Sequence, residues 1–244
     1  MRAASIWLCL GLLLSAGCSS LPRPRAPMGA VRSAYAGGRA ETVVFFLPGR
    51  KDRARIFEDK GIFDLVRDKQ LPADLIGADA HAGYYVRGTL LRRFEQDLVE
   101  PARKRGYAHM IIVGVSLGGY GAVRYAMRHP GRVETIVLLS PFLGAGSAMQ
   151  DLADADDPDF ARTWDWLRRY PGERRARAAA GYPRIVLGYG EEDLLLHSDG
   201  ELKKLLPPED VVTIPIGAHE WSAWRRLLGL ILDKDLMSAE KPAQ

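Results

Sequence analysis

The chain has 244 residues, 47% hydrophobic and 26% charged, which suits one globular domain with a sizeable core. Its formal charge of +4 is mildly basic, and much of the excess lies in residues 50–55 and 168–177. No helix-turn-helix, zinc-finger or RRM signature turns that charge into nucleic-acid recognition. It reads as a solvated basic face near anionic lipid.

Residues 1–17 read as a signal peptide. Arg2 supplies a positive start, and residues 6–14 form an apolar core too short to span a bilayer stably. Leu14-Ser-Ala-Gly-Cys18 follows, and small residues before a Cys resemble the bacterial lipoprotein signal. That resemblance implies a lipidated Cys18 (palmitate among its acyl chains) as mature N-terminus. Ser15 stands where such signals most often carry Leu, and an ordinary secretory signal is the alternative. Of the two cysteines, Cys9 lies in the apolar core and Cys18 at the modification site, so the exported domain would hold no disulfide. Several acyl chains would anchor the protein durably to a membrane. Ser19 after the Cys resembles signals for delivery to the outer membrane, on its periplasmic side.

Residues 18–40 are expected to hold the lipidated Cys and a Pro-rich tether, with a possible short strand at 31–36, and residues 41–244 the folded domain. Thr42-Val-Val-Phe-Phe-Leu47 is a buried strand cut off by Pro48-Gly49. Residues 57–69 look helical, 74–78 form a strand and 81–85 a loop. Leu90, Leu91, Phe94 and Leu98 make a helical stripe broken near Pro101. The apolar run 110–113 is a strand covered on both faces. It passes through Gly114-Val115-Ser116-Leu117-Gly118 into a helix with Tyr120, Val123 and Met127 on one face. Strands at 133–139, 184–188 and 211–216 follow, then an amphipathic helix over 221–236. No segment after the signal is long and apolar enough to cross a bilayer.

Strands alternating with helices argue for a parallel sheet covered on both sides. The interval between the strands at 133 and 184 is too long for one βα unit, so residues 144–182 are an insertion. Its first half is acidic (Asp151, Asp154, Asp156, Asp157, Asp159) and its second half basic.

Strand, G-x-S-x-G and helix together mark a nucleophile elbow, whose small flanking residues Gly114 and Gly118 allow a strained Ser on a tight turn. Ser116 is therefore the candidate nucleophile. Its base must come from a loop at the carboxyl end of a strand. Of the five His, His219 follows the last strand directly, and His81 is the alternative. The acid should follow the preceding strand, where Glu191, Glu192 and Asp193 stand; Asp193 is preferred to Glu192 because a Gly-containing turn precedes it. It would hold the His tautomer and stabilise the imidazolium.

The order Ser116, Asp193, His219 resembles that of the α/β-hydrolases. Gly190-Glu-Glu-Asp193 is similar to that family's G-x-x-D loop, Gly217-Ala-His219 to its terminal G-x-H, and residues 45–49 to its strand ending in His-Gly, with Pro48 replacing the His. The resemblance covers roughly residues 41–236. It implies a three-layer α/β fold, an oxyanion hole from the N–H groups of Arg50 and Leu117, and a lid at 144–182 whose Phe160, Trp164 and Trp166 line an acyl pocket. An ordinary helical excursion burying those aromatics is the other reading. With little room before Thr42 for the family's initial antiparallel pair, a sheet of about six strands is expected.

The expected activity is carboxylic ester hydrolysis through an acyl-enzyme, with neither metal nor organic cofactor. The same residues would serve acyl transfer or thioester cleavage, and a non-catalytic envelope lipoprotein that binds through this fold is a further alternative. The expected partners are a small-molecule ester or lipid and the anchoring membrane; neither substrate nor oligomeric state is legible. Arg50, Lys51, Arg53 and Arg55 beside the oxyanion loop would suit an anionic substrate, or else form a solvated charge run.

Overall fold

The computed structural model describes residues 21–144 and 158–237. The signal stretch 1–17, Cys18 and the acidic residues 151–157 lie outside them. The strands are β1 (Ala30–Ser33), β2 (Thr42–Leu47), β3 (Ala73–Ala78), β4 (His109–Val115), β5 (Thr135–Leu139), β6 (Arg184–Gly190) and β7 (Val211–Ile214). The α-helices are α1 (Ile56–Asp59), α2 (Ile62–Asp68), α3 (Ala82–Val86), α4 (Leu90–Phe94), α5 (Glu100–Arg105) and α6 (Leu117–Arg128), then α7 (Pro158–Arg168), α8 (Arg174–Ala180), α9 (Leu196–Lys203) and α10 (Trp221–Asp233).

The strands form one sheet in the order β1-β3-β2-β4-β5-β6-β7. Six of them run parallel; β1 alone is antiparallel, pairing Ala30 with Ala78 and Ser33 with Leu75 of β3. Among the described residues seven strands thus replace the expected six or so, because part of the 18–40 tether is drawn into the sheet. β1 covers the β3 edge, which would otherwise present unpaired N–H and C=O groups.

Successive strand residues point to opposite faces. Phe45, Leu47, Ile112, Leu138 and Leu187 join Ala122, Val123 and Tyr125 of α6 on one side. Val44, Phe46, Val113, Leu139 and Val186 join Phe63 and Val66 of α2 and Leu227, Leu228 and Ile231 of α10 on the other. This is the three-layer fold expected from the sequence, and each such buried aliphatic or aromatic side chain contributes about 1.5–3 kcal/mol relative to its exposed state.

Three local expectations change. The helix at 57–69 is two helices, because Gly61 takes a left-handed conformation (φ 62°) between α1 and α2. The loop at 81–85 is instead α3, capped by the His81 ring, which accepts a hydrogen bond from Gly83 N–H at 3.2 Å. The stripe at 90–98 does not break at Pro101. Glu95–Val99 winds as a π-turn and the helix resumes in α5, whose first turn carries the proline. Pro101 lacks the N–H that would bond one turn back, and the wider turn absorbs that loss.

Candidate active site

Parallel strands end together, so the loops after β2, β4, β5, β6 and β7 meet along one rim. Ser116 sits between β4 and α6 with φ 50° and ψ −117°, strained backbone for a residue with a Cβ. Its N–H donates to Leu139 C=O at 3.0 Å, and its C=O accepts from Phe142 N–H at 2.9 Å, so β5 and its loop hold the turn from both sides. A Cβ on Gly118 would lie 2.1 Å from Leu47 C=O, and one on Gly114 would lie 2.4 Å from Gly118 C=O. Only glycine lets the helix approach β2 and β4 this closely.

Ser116 Oγ lies 2.9 Å from His219 Nε2. His219 Nδ1 lies 2.9 and 3.0 Å from the two oxygens of Asp193. With the Nδ1 proton held by the carboxylate, Nε2 is left as the acceptor for the serine hydroxyl. Ser116 and Asp193 are buried and His219 is partly buried. The Asp193 loop approaches the His219 loop so closely that a Cβ on Gly190 would fall 2.0 Å from Gly217 C=O. Asp193 also accepts from Leu195 N–H at 2.8 Å, while Glu191 and Glu192 are exposed. The Trp224 ring meets the His219 ring edge-on at 4.8 Å and limits its rotation. His81, the alternative base, spends its Nδ1 on the α3 cap, and burial lowers its pKa, helped by the charge of Arg53.

Leu117 opens α6, so its N–H has no carbonyl within the helix to bond. Arg50 follows Gly49, whose Cβ, were it present, would lie 3.7 Å from Ser116 Cβ. The two expected oxyanion donors therefore belong to segments flanking Ser116. Asp52 fastens the Arg50 loop by accepting from Trp221 Nε1–H at 3.2 Å, and burial raises its pKa against that hydrogen bond. Arg53 and Arg55, beside this loop, both have acidic partners. Arg53 grips Asp79 with both arms at 2.7 and 2.8 Å, and Arg55 lies 3.6 Å from Asp59.

The three aromatic candidates of the 144–182 insertion divide. Phe160 stacks on Tyr120 at 4.5 Å and meets Phe142 edge-on at 5.6 Å, bordering an apolar cluster that includes Leu117. Trp164 donates to Leu143 C=O at 2.9 Å and packs on the main core. Trp166 belongs to that core and stacks on Tyr182 at 4.4 Å.

Two features escaped the sequence reading. Asp199, in the first turn of α9, is fully buried, and neither carboxylate oxygen has a partner among the described residues. Burial, and secondarily the Asp193 charge, pushes its pKa up to about 9, so at neutral pH it is a neutral acid. In the sequence it is one carboxylate in a polar Ser-Asp-Gly-Glu run, with nothing to set it apart. The second is Leu21, which packs against the apolar cluster that includes Leu117, a long-range contact without a local signal.

Comparison with known proteins agrees with this architecture. The chain belongs to the Esterase family, whose match spans residues 84–233. Its fold and family define it as a carboxylic ester hydrolase of the α/β-hydrolase type. A ferulic acid esterase superposes with a TM-score of 0.62 at 15% identity, over 84% of this chain and 96% of its own. S-formylglutathione hydrolase (FrmB) from Staphylococcus aureus gives 0.57 at 13% identity, over 87% and 98%. A monoacylglycerol lipase from Paleococcus ferrophilus gives 0.56 at 13% identity, over 84% and 98%. No curated protein matches the sequence. The three solved structures carry different substrate names, so the shared fold leaves the substrate open.

Proposed function

We propose that the chain is a serine esterase in which Ser116, His219 and Asp193 act as a triad. The supporting observation is the single line of contacts from Ser116 Oγ through both ring nitrogens of His219 to Asp193, each link at 2.9 to 3.0 Å. As Oγ bonds to the ester carbonyl carbon, His219 Nε2 takes its proton and Asp193 stabilises the imidazolium. The tetrahedral oxyanion accepts hydrogen bonds from Leu117 and Arg50 N–H, each such donor contributing on the order of 10²–10³ in rate. The carbonyl carbon–alkoxy oxygen bond then breaks, and His219 returns the proton to the departing alcohol. Water repeats the sequence on the acyl-enzyme and releases the acid.

Labelling of the full chain with a fluorophosphonate tests this reading. Wild type is expected to label and Ser116→Ala to remain unlabelled. A wild-type chain that does not react would leave a non-catalytic binding module.

The same proposal places the enzyme in the bacterial envelope. Lipid on Cys18 would hold it on the periplasmic side of the outer membrane, as the Leu14-Ser-Ala-Gly-Cys18-Ser19 stretch suggests. Metabolic incorporation of labelled palmitate, lost in Cys18→Ala, is the corresponding measurement.

A further inference from the structure

The chain just beyond Cys18 does not run clear of the fold. Leu21 packs against an apolar cluster made by Ala82, Leu117, Tyr120, Phe142 and Leu195, with Phe160 at its border. These residues come from α3, the first turn of α6, the loop after β5, the loop after Asp193 and the insertion, and they converge on the candidate nucleophile. Leu117 follows Ser116 directly. Phe142 N–H donates to Ser116 C=O at 2.9 Å, and Leu195 N–H donates to Asp193 at 2.8 Å.

The tether is held on both sides of its bend. Pro22 C=O presses on α3, where a Cβ on Gly83 would fall 1.9 Å from it. Tyr84 Oη lies 3.0 Å from both the N–H and the C=O of Arg25. Further along, Met28 is buried in the main core and its N–H donates to Asp97 at 2.7 Å. Leu21 is the last side chain before this clamp, and it packs against that apolar cluster.

An apolar cluster that begins one residue from a nucleophile is placed to take the hydrophobic part of an acyl group, since the ester carbonyl must sit at Oγ and its chain must leave the polar rim. We propose that this cluster is the acyl-chain subsite and that Leu21 is its built-in occupant, which an apolar acyl chain must displace. The proposal rests on the Ser116 reading above and gives it a substrate class: esters of straight apolar acids, admitted by movement of the tether. A short acyl group such as acetyl stops short of Leu21 and needs no displacement.

The test uses the full chain in lipid nanodiscs and fluorophosphonates carrying either a methyl or an octyl group on phosphorus. Relative to wild type, Leu21→Ala is expected to raise the octyl-to-methyl labelling ratio about tenfold, the value of one leucine side chain's burial. Leu21→Trp is expected to lower it. A second readout does not need the nucleophile. In a Ser116→Ala background, octanoate titrated calorimetrically, with empty nanodiscs subtracted, should bind the Leu21→Ala chain about fivefold or more tighter. Equal labelling ratios across the three chains, or equal octanoate affinities, overturn the proposal. Absence of labelling at Ser116 with the octanoate difference intact overturns the nucleophile and leaves the subsite standing.

Discussion

The sheet carries a histidine–carboxylate pair at each end, and their distances are nearly the same. At the carboxyl rim His219 Nδ1 lies 2.9 and 3.0 Å from the Asp193 oxygens. At the amino edge, His109 Nδ1 lies 2.8 and 3.0 Å from those of Glu134. β4 joins the two ends, since it begins with His109 and stops one residue before Ser116. The pairs differ in their surroundings. His219 and Asp193 side chains are 15% and 0% exposed, against 34% and 41% for His109 and Glu134. The imidazole at the rim also has a hydroxyl on its second nitrogen. Pair geometry alone is cheap, because an exposed pair is screened by water; burial and a third group are what the proposed proton transfer adds to it.

That contrast can be broken or sharpened by substitution. His219→Ala should lower kcat on p-nitrophenyl esters on the order of 10⁶-fold, and His109→Ala should leave it within about twofold. Equal losses would mean that the rim pair has no special role. Asp193→Asn, which keeps the shape but favours the wrong tautomer, should cost about 10⁴ in kcat. Glu134→Gln should leave kcat unchanged and shift stability by about 1 kcal/mol or less in a urea titration.

A separate effect concerns the cost of building the rim. The pKa of Asp199 rises from 3.8 to about 9. Between those values the folded protein holds a proton that the unfolded chain has released, so stability falls as pH rises from about 4 to about 9. Asp199→Asn removes this titration. It should stabilise the protein by about 1–3 kcal/mol at pH 8 and by less at pH 5, flattening the dependence of Tm on pH. A variant with the wild-type slope would show that Asp199 is not the group responsible.

How much of this was legible in the sequence follows from the range of each interaction. β2 and β4 announce themselves as continuous apolar runs because a central parallel strand is covered on both faces. β5 and β6 were placed within a few residues for the same reason, whereas β7 is an edge strand whose residues alternate between half-buried and buried. Ser116, Asp193 and His219 could be named because the rim's topology filters loop residues by their position after a strand. Their actual meeting is a property of the folded sheet. α3 was missed because its cap is a histidine rather than Ser, Thr, Asp or Asn. β1 was weakly marked because its partner lies far along the chain. The roles of Asp199 and Leu21 depend wholly on tertiary surroundings, which no local pattern encodes. Trp166 is a different case: the sequence left pocket lining and core burial open for the insertion's aromatics, and this one stacks on Tyr182 in the core.

The tether's path has a consequence for how such an enzyme would meet its substrate. Three residue steps lead from Cys18 to Leu21, and fully extended they span at most about 11 Å. A chain acylated at Cys18 would therefore be moored beside its own entrance, with its mouth turned toward the bilayer instead of sweeping the surrounding fluid on a long leash. Encounter would become a search over a plane, set by how fast molecules drift within one leaflet and how deeply they are embedded, more than by their concentration in water.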